Sequence, residues 1–181
     1  MDADLRLARA EDLPAIAAIV NRSIREHHAN FSWREEPLSL WESRFRADAR
    51  RHPWLVAVAD DAVVGFAKSS AFREREAYDW LAETTIYLGE GARGRGLGTR
   101  LYGELLGILR RQGRLAALGV IALPNPASVA LHEHLGFART GTIERAGWKF
   151  GRWWDVGFWR LAFRDEDAEP PALRDVADAL A

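Results

Sequence analysis

Apolar residues change their spacing along this chain, and each change marks an element. Leu13, Ile16, Val20 and Ile24 recur every three or four positions, which predicts one face of a helix opened by Glu11-Asp12. Residues 5–8 before it read as a short strand. Residues 27–37 keep no period, and a second helix is predicted over about 38–51. Two β-rich runs, 54–59 and 62–70, flank Asp60-Asp61 and predict a hairpin. A polar, aromatic connection fills 72–80, and 83–88 reads as a further strand.

Leu97, Leu101, Leu105 and Leu109 then return every four positions, the stripe of a long helix reaching about residue 112. Residues 115–123 form the next strand. Pro124-Asn125-Pro126 breaks it, a short helix covers 127–135, and Gly136 stops that helix. Two last strands fall at about 138–145 and 156–163. From Arg164 the chain is acidic and carries Pro170-Pro171, which predicts a mobile tail over 165–181 with a helical turn near 173–180. The order gives one domain, 1–164, of mixed α/β class, its early strands joined by hairpins and not by a regular βαβ alternation.

Composition narrows the function. A chain of 181 residues is long enough to bury one substantial core. A net charge of −1 provides no basic field to draw nucleic acid or an anionic membrane. No apolar run is long enough for a membrane-spanning helix, and residues 1–9 lack the apolar core of a signal peptide. Cysteine is absent, which excludes disulfides, thiolate metal sites and a cysteine nucleophile, and fits a cytoplasmic protein. Trp148, Trp153, Trp154 and Trp159 crowd one stretch at a spacing that suits packing of a strand pair better than base stacking.

The chemistry concentrates in Arg93-Gly94-Arg95-Gly96-Leu97-Gly98, between the 83–88 strand and the long helix. A glycine-rich turn there leaves N–H groups unpaired at the positive end of the helix and lets a ligand approach the backbone. Arg93 and Arg95 add charge, so the turn suits a pyrophosphate. A P-loop is excluded because no lysine is present in the run. A dinucleotide loop fits poorly, because Gly94, Gly96 and Gly98 have another spacing and no acidic residue ends the 115–123 strand. A solvated turn and a third pattern, R-x-x-G-x-G, remain.

That third pattern, read from Arg93 through Gly96 to Gly98, resembles the acyl-coenzyme A pyrophosphate loop of the GNAT N-acetyltransferases. A second motif stands the matching distance downstream: Pro124-Asn125-Pro126-Ala127-Ser128, then Leu131-His132-Glu133-His134-Leu135-Gly136-Phe137. Asn30-Phe31, Pro53-Trp54-Leu55-Val56-Ala57, Ala77-Tyr78-Asp79-Trp80, Ala82-Glu83-Thr84-Thr85-Ile86-Tyr87 and the run from Lys149 to Trp159 are similar to the phosphinothricin and methionine sulfoximine N-acetyltransferase branch. The resemblance spans about residues 4–163. It implies a mixed central sheet of about six or seven strands flanked by about four helices, with a β-bulge and a V-shaped splay at the cofactor site. It implies acetyl-CoA as acetyl donor, no metal, a small-molecule amine acceptor, and a homodimer whose surface includes residues 148–159.

Acetyl transfer to an amine needs a free lone pair, a stabilised carbonyl oxygen, an outlet for the departing thiolate and alignment of both substrates; alignment alone contributes about 7–11 kcal/mol. Glu83 is the candidate base, against the alternative of an exposed strand-end carboxylate. The branch uses the glutamate of its A-E-S/T-T-I/V-Y pattern in that role. His132 occupies the position of a tyrosine that many GNAT enzymes use to protonate the thiolate, and is either a proton donor or a structural histidine. His134, two residues on, faces elsewhere, so the two form no metal pair. Tyr87 is the third catalytic candidate, or a core tyrosine.

The resemblance sets the cofactor against Ile86, Tyr87, Leu88, Arg93, Gly94, Arg95, Gly96, Leu97, Gly98, Thr99, Asn125 and Ser128, with an oxyanion-binding N–H near Tyr87 or Leu88. Asn125 alternatively does no more than cap the helix after it. The acceptor is set against Phe31, Arg73, Arg75, Tyr78, Glu83, Tyr87, Val120 and Val156. Arg73 and Arg75 alternate with Glu74 and Glu76, which is also the pattern of a solvated face. Ser32-Trp33 and Arg73 depart from the branch. The acceptor is therefore open between a phosphinothricin or methionine sulfoximine type, another small amine and a peptide N-terminus. A non-catalytic acyl-CoA sensor is the reading from another class, and Glu83 with His132 argues against it.

Overall fold

The computed structural model of the chain describes residues 2–164 and 169–181. Among them, seven strands form one sheet: β1 (Asp4–Leu7), β2 (Trp54–Ala59), β3 (Ala62–Ala71), β4 (Leu81–Leu88), β5 (Ala116–Leu123), β6 (Ala138–Lys149) and β7 (Arg152–Ala162), in the order β1-β2-β3-β4-β5-β7-β6. Only the β4–β5 pair is parallel, so the sheet is mixed as expected. Five helices accompany it: α1 (Leu13–Glu26), α2 (Leu38–Asp48), α3 (Leu97–Arg111), α4 (Pro126–His134) and α5 (Val176–Leu180).

Side chains alternate between the two faces of a strand, so each face has its own core. On one face the apolar stripe of α1 and Trp41 of α2 pack on Trp54, Val56 and Phe66. On the other, Leu97, Leu101, Leu105 and Leu109 of α3 pack on Leu55, Ala57 and Ala67 of the sheet, as the periodicity required. Burying one such leucine contributes about 1.5–3 kcal/mol, which is why the stripe rather than helix propensity fixes α3 in place.

The parallel pair opens at one end. β4 pairs with β5 from Leu81↔Ala116 to Thr84↔Gly119 and no further. Beyond that point β4 continues on β3 as far as Leu88, and β5 continues on β7 as far as Leu123. This is the expected splay. The bulge expected beside it does not interrupt the β3–β4 register, which is continuous from Gly65↔Leu88 to Ala71↔Ala82. Register shifts lie instead at Ala57/Val58 and at two places in β6. The opening is the parting of β4 from β5.

Two stretches depart from the sequence reading. β6 and β7 form one long hairpin through a tight Phe150-Gly151 turn, both residues at positive φ (51° and 73°), where a gap over 146–155 was expected. Most of β6 is exposed, so it carries no burial period to read; pairing with β7 makes it a strand. Residues 169–181, expected as part of a mobile tail, pack against the domain. The Arg174 N–H donates to the Gln112 carbonyl, the Val176 N–H to that of Arg50 and the Trp80 indole to that of Pro171, while Val176 and Ala179 are buried. Residues 165–168 of the expected tail lie outside the described residues.

Candidate active site

The glycine loop closes the open end of the splay. Gly94 and Gly96 take φ of 72° and 73°, a region that costs other residues, and a Cβ on either would meet nothing within 4 Å. The backbone there is therefore both turned and uncovered. Gly96 caps α3 with no side-chain hydrogen bond, so among the described residues no side chain caps the first N–H groups of the helix. Arg93 and Arg95 are exposed beside them, Leu97 and Gly98 are buried, and Thr99 is half-buried. An anionic ligand gains both the helix dipole and the two guanidinium groups at this point.

Among the described residues, the strand edges lining the splay have no partner. Gly89 donates its N–H to the Val64 carbonyl on the β3 side. Backbone groups alternate in direction along a strand, so the N–H groups of Leu88 and Ile86 point the other way, toward the parted β5. The side chains of Ile86 and Leu88 join the α3 core, and that of Tyr87 joins the α1 core.

Glu83, Thr85 and Tyr87 project from β4 on the α1 face. The Glu83 carboxylate is half-buried and has no hydrogen bond or ion pair among the described residues. Burial pushes its pKa above the ordinary carboxylate value, and the positive charge of Lys68 partly opposes this. Tyr87 stacks on Phe66 at 5.6 Å and accepts a hydrogen bond from the Asn30 amide at 3.3 Å. Burial raises its pKa also. Register sets Val120 and Val156 on this same face, through Leu118↔Glu83 and Ala122↔Val156.

The connection between α1 and α2 roofs this face, and the β6–β7 hairpin pins it. The Lys149 ammonium donates to the carbonyls of Ile24, His27 and Asn30, at the C-terminal end of α1. Phe31 lies against Gly147, where a Cβ would come within 2.5 Å of its ring. His28 stacks on Trp154 at 3.8 Å, and the Trp33 indole donates to the Trp148 carbonyl. Phe31 thus lies where the α1–α2 connection meets the β6–β7 hairpin. Arg73, Arg75 and Tyr78 sit on the β3–β4 connection and are exposed; Arg73 lies over Phe72 and Tyr78 meets that ring edge-on.

His132 lies on the other face. Its Nδ1–H donates to the Ser128 carbonyl at 2.8 Å, and Nε2 lies 3.0 Å from the Tyr102 hydroxyl. Tyr102 in turn lies 2.6 Å from the Thr84 hydroxyl, which donates to the Leu118 carbonyl at 3.0 Å. The ring fills the space over Gly119, where a Cβ would come within 2.4 Å of it. Burial lowers the His132 pKa, the Ser128 bond opposing. The ring is therefore neutral near pH 7, with its one proton already donated. The structure does not bring His132 together with Glu83 and Tyr87. Asn125 caps α4, its side chain accepting the Ser128 N–H at 3.1 Å.

Asn30, Tyr102 and Lys149 were not assigned roles from the sequence. Tyr102 had a signal, since a phenol beside a buried leucine stripe needs a hydroxyl partner. Lys149 had none, because its value comes from a helix end far along the chain. Among the described residues no cluster of three or more His, Asp or Glu side chains is placed to hold a metal.

An anion cradle at a helix N-terminus, a wedge between parted strands and a half-buried carboxylate on one of those strands make up the candidate site. The chain belongs to the acetyltransferase (GNAT) family, whose model matches residues 16–137. It is 39% identical over 173 residues to a phosphinothricin N-acetyltransferase of Streptomyces viridochromogenes, covering 96% of this chain and 94% of that one. It is 36% identical to an L-methionine sulfoximine/L-methionine sulfone acetyltransferase of Pseudomonas aeruginosa, covering 89% and 95%. A crystal structure of a GNAT-superfamily phosphinothricin acetyltransferase from Sinorhizobium meliloti in complex with AcCoA superimposes with a TM-score of 0.90, at 36% identity and 94% coverage of both chains.

Proposed function

We propose that this protein transfers the acetyl group of acetyl-CoA directly to the amino group of a small amino acid analogue, of the phosphinothricin or methionine sulfoximine and sulfone type. The observation that carries this reading is Glu83: a half-buried, unpaired carboxylate with a raised pKa, on the strand whose far end opens into the glycine cradle. The relatives' activities support the acceptor class.

Acetyl-CoA fits what the chain presents. The uncovered N–H groups at Gly94 and Gly96, with Arg93 and Arg95, bind its diphosphate. The unpaired edges of β4 and β5 offer strand-like hydrogen bonds to its amides. Acetyl-CoA supplies the activated thioester, and the chain does the rest. The Leu88 N–H points into the splay and donates to the acetyl carbonyl oxygen as that oxygen gains charge. Glu83 accepts the ammonium proton of the acceptor, directly or through water, so that a lone pair is free to attack. Phe31, Tyr87, Val120 and Val156 shape the acceptor's surroundings. With no cysteine in the chain, no thiol relay intervenes.

His132 takes a structural part in this reading. Through Tyr102 it fixes Thr84 at the point where β4 leaves β5. The proposal extends to a cytoplasmic homodimer joined through the exposed aromatic residues Trp33, Trp148, Phe150 and Trp153, which sedimentation of wild type and Trp153→Ser will test.

The direct test is release of CoA thiol from acetyl-CoA across phosphinothricin, methionine sulfoximine, methionine sulfone, ordinary amino acids, polyamines and short peptides. Turnover centred on the first three is expected. Turnover only on polyamines or peptides removes the acceptor assignment, and silence on every amine with acetyl-CoA bound removes the enzyme.

A further inference from the structure

A second charge lies on the Glu83 face, with no hydrogen-bond or ion-pair partner among the described residues. Lys68 sits on β3 opposite Thr85, diagonal to Glu83, which faces Ser70. Alternation puts the side chains of Lys68, Ser70, Glu83 and Thr85 on one face of the sheet. Diagonal neighbours across an antiparallel pair are about 7–8 Å apart, within reach of a lysine. The Lys68 ammonium lies 4.7 Å from the centre of the Trp54 ring. That ring is buried and held edge-on by Trp41 and Phe45, so it gives the lysine a fixed seat.

Lys68 makes no hydrogen bond or ion pair among the described residues, and neither does Glu83. Yet neither side chain is among those whose polar atoms are sealed from solvent without a partner. Two opposite charges thus stand on one half-buried face, apart from each other and not sealed from solvent. A merely structural pair would close into contact, because separated charges in such a place are costly. Lys149 shows the structural alternative, with all three ammonium protons donated to carbonyls. Arg44, on the covering helix, is already paired with Glu36 at 2.6 Å. Burial pulls the Lys68 pKa down, and Asp48, Glu83 and Glu36 oppose that shift while Arg44 adds to it.

We propose that Lys68 binds the carboxylate of the acceptor while Glu83 receives its ammonium group, so that the two side chains together select a zwitterionic α-amino acid. This rests on the function proposed above and adds the element that discriminates among amines. A charge-assisted bond from lysine to carboxylate supplies both attraction and orientation, and an amine lacking the carboxylate leaves the ammonium unmatched.

The test compares kcat/KM for methionine sulfone and for the amine left when its carboxylate is removed, in wild type, Lys68→Met and Lys68→Arg. Wild type is expected to favour the amino acid. Lys68→Met is expected to raise KM for the amino acid by about 10–100-fold. It should leave the decarboxylated amine and the KM for acetyl-CoA nearly unchanged, with Lys68→Arg retaining part of the preference. If Lys68→Met fails to fold, Lys68→Gln gives the same ratio. An unchanged ratio between the two acceptors overturns the role of Lys68 alone. No turnover on any α-amino acid by wild type overturns both this assignment and the function beneath it.

Discussion

The two faces of β4 hold two ionisable groups in opposite conditions. On the α1 face the Glu83 carboxylate is half-buried, unpaired and raised in pKa. On the α3 face the His132 imidazole is buried, with both ring nitrogens in hydrogen bonds and its pKa lowered. A group whose hydrogen-bonding capacity is filled by its own chain holds structure; a group left unfilled beside an opening is available to a ligand. The sequence and its family resemblance present both as catalytic candidates. Only the face each occupies separates them.

The largest effect expected is on the open face. Glu83→Gln keeps the shape and removes the base, and should lower kcat by roughly 10²–10⁴ while acetyl-CoA binds as before. A carboxylate placed in the cradle comes next: Gly96→Asp sets negative charge at the helix N-terminus against a diphosphate, and calorimetry should show acetyl-CoA binding weakened by roughly tenfold or more.

On the closed face the expected loss is of stability. Tyr102→Phe removes the hydroxyl that joins His132 to Thr84, and should cost about 1–3 kcal/mol of unfolding free energy while kcat changes little. A large fall in kcat with stability intact would make the His132 chain part of the chemistry. Acid should expose the same face in wild type. His132 and His52 both have lowered pKa in the fold, His52 at about 3, against an ordinary value of 6.5. The unfolded chain takes up those protons first. The stability they confer is therefore present above about pH 6.5 and lost as pH falls below it, for His52 down to about pH 3, by up to about 1.4 kcal/mol per pH unit. Urea midpoints across that range will show it, and a flat profile would contradict the buried neutral state.

The stripes of α1 and α3, the Asp60-Asp61 hairpin and the glycine cradle were legible because each is written locally, in periodicity or turn chemistry. So was the place of Glu83 on the strand that leads to the loop. The face taken by His132 was not, since it depends on α4 docking over Gly119. Lys68 was passed over as one polar residue in a β-rich run; its relation to Glu83 exists only once β3 and β4 are in register. The β6–β7 hairpin was underestimated because an exposed strand shows no burial period. The packing of residues 169–181 was missed because main-chain groups, which carry no sequence signature, make most of its bonds.

The most direct test is the pH dependence of kcat/KM for wild type and Glu83→Gln with one good acceptor. Wild type should lose activity as pH falls through a single ionisation above the ordinary carboxylate range. That limb should vanish in Glu83→Gln along with most of the rate. An unchanged acidic limb at near-wild-type rate would remove Glu83 as the base and return the proton to another group.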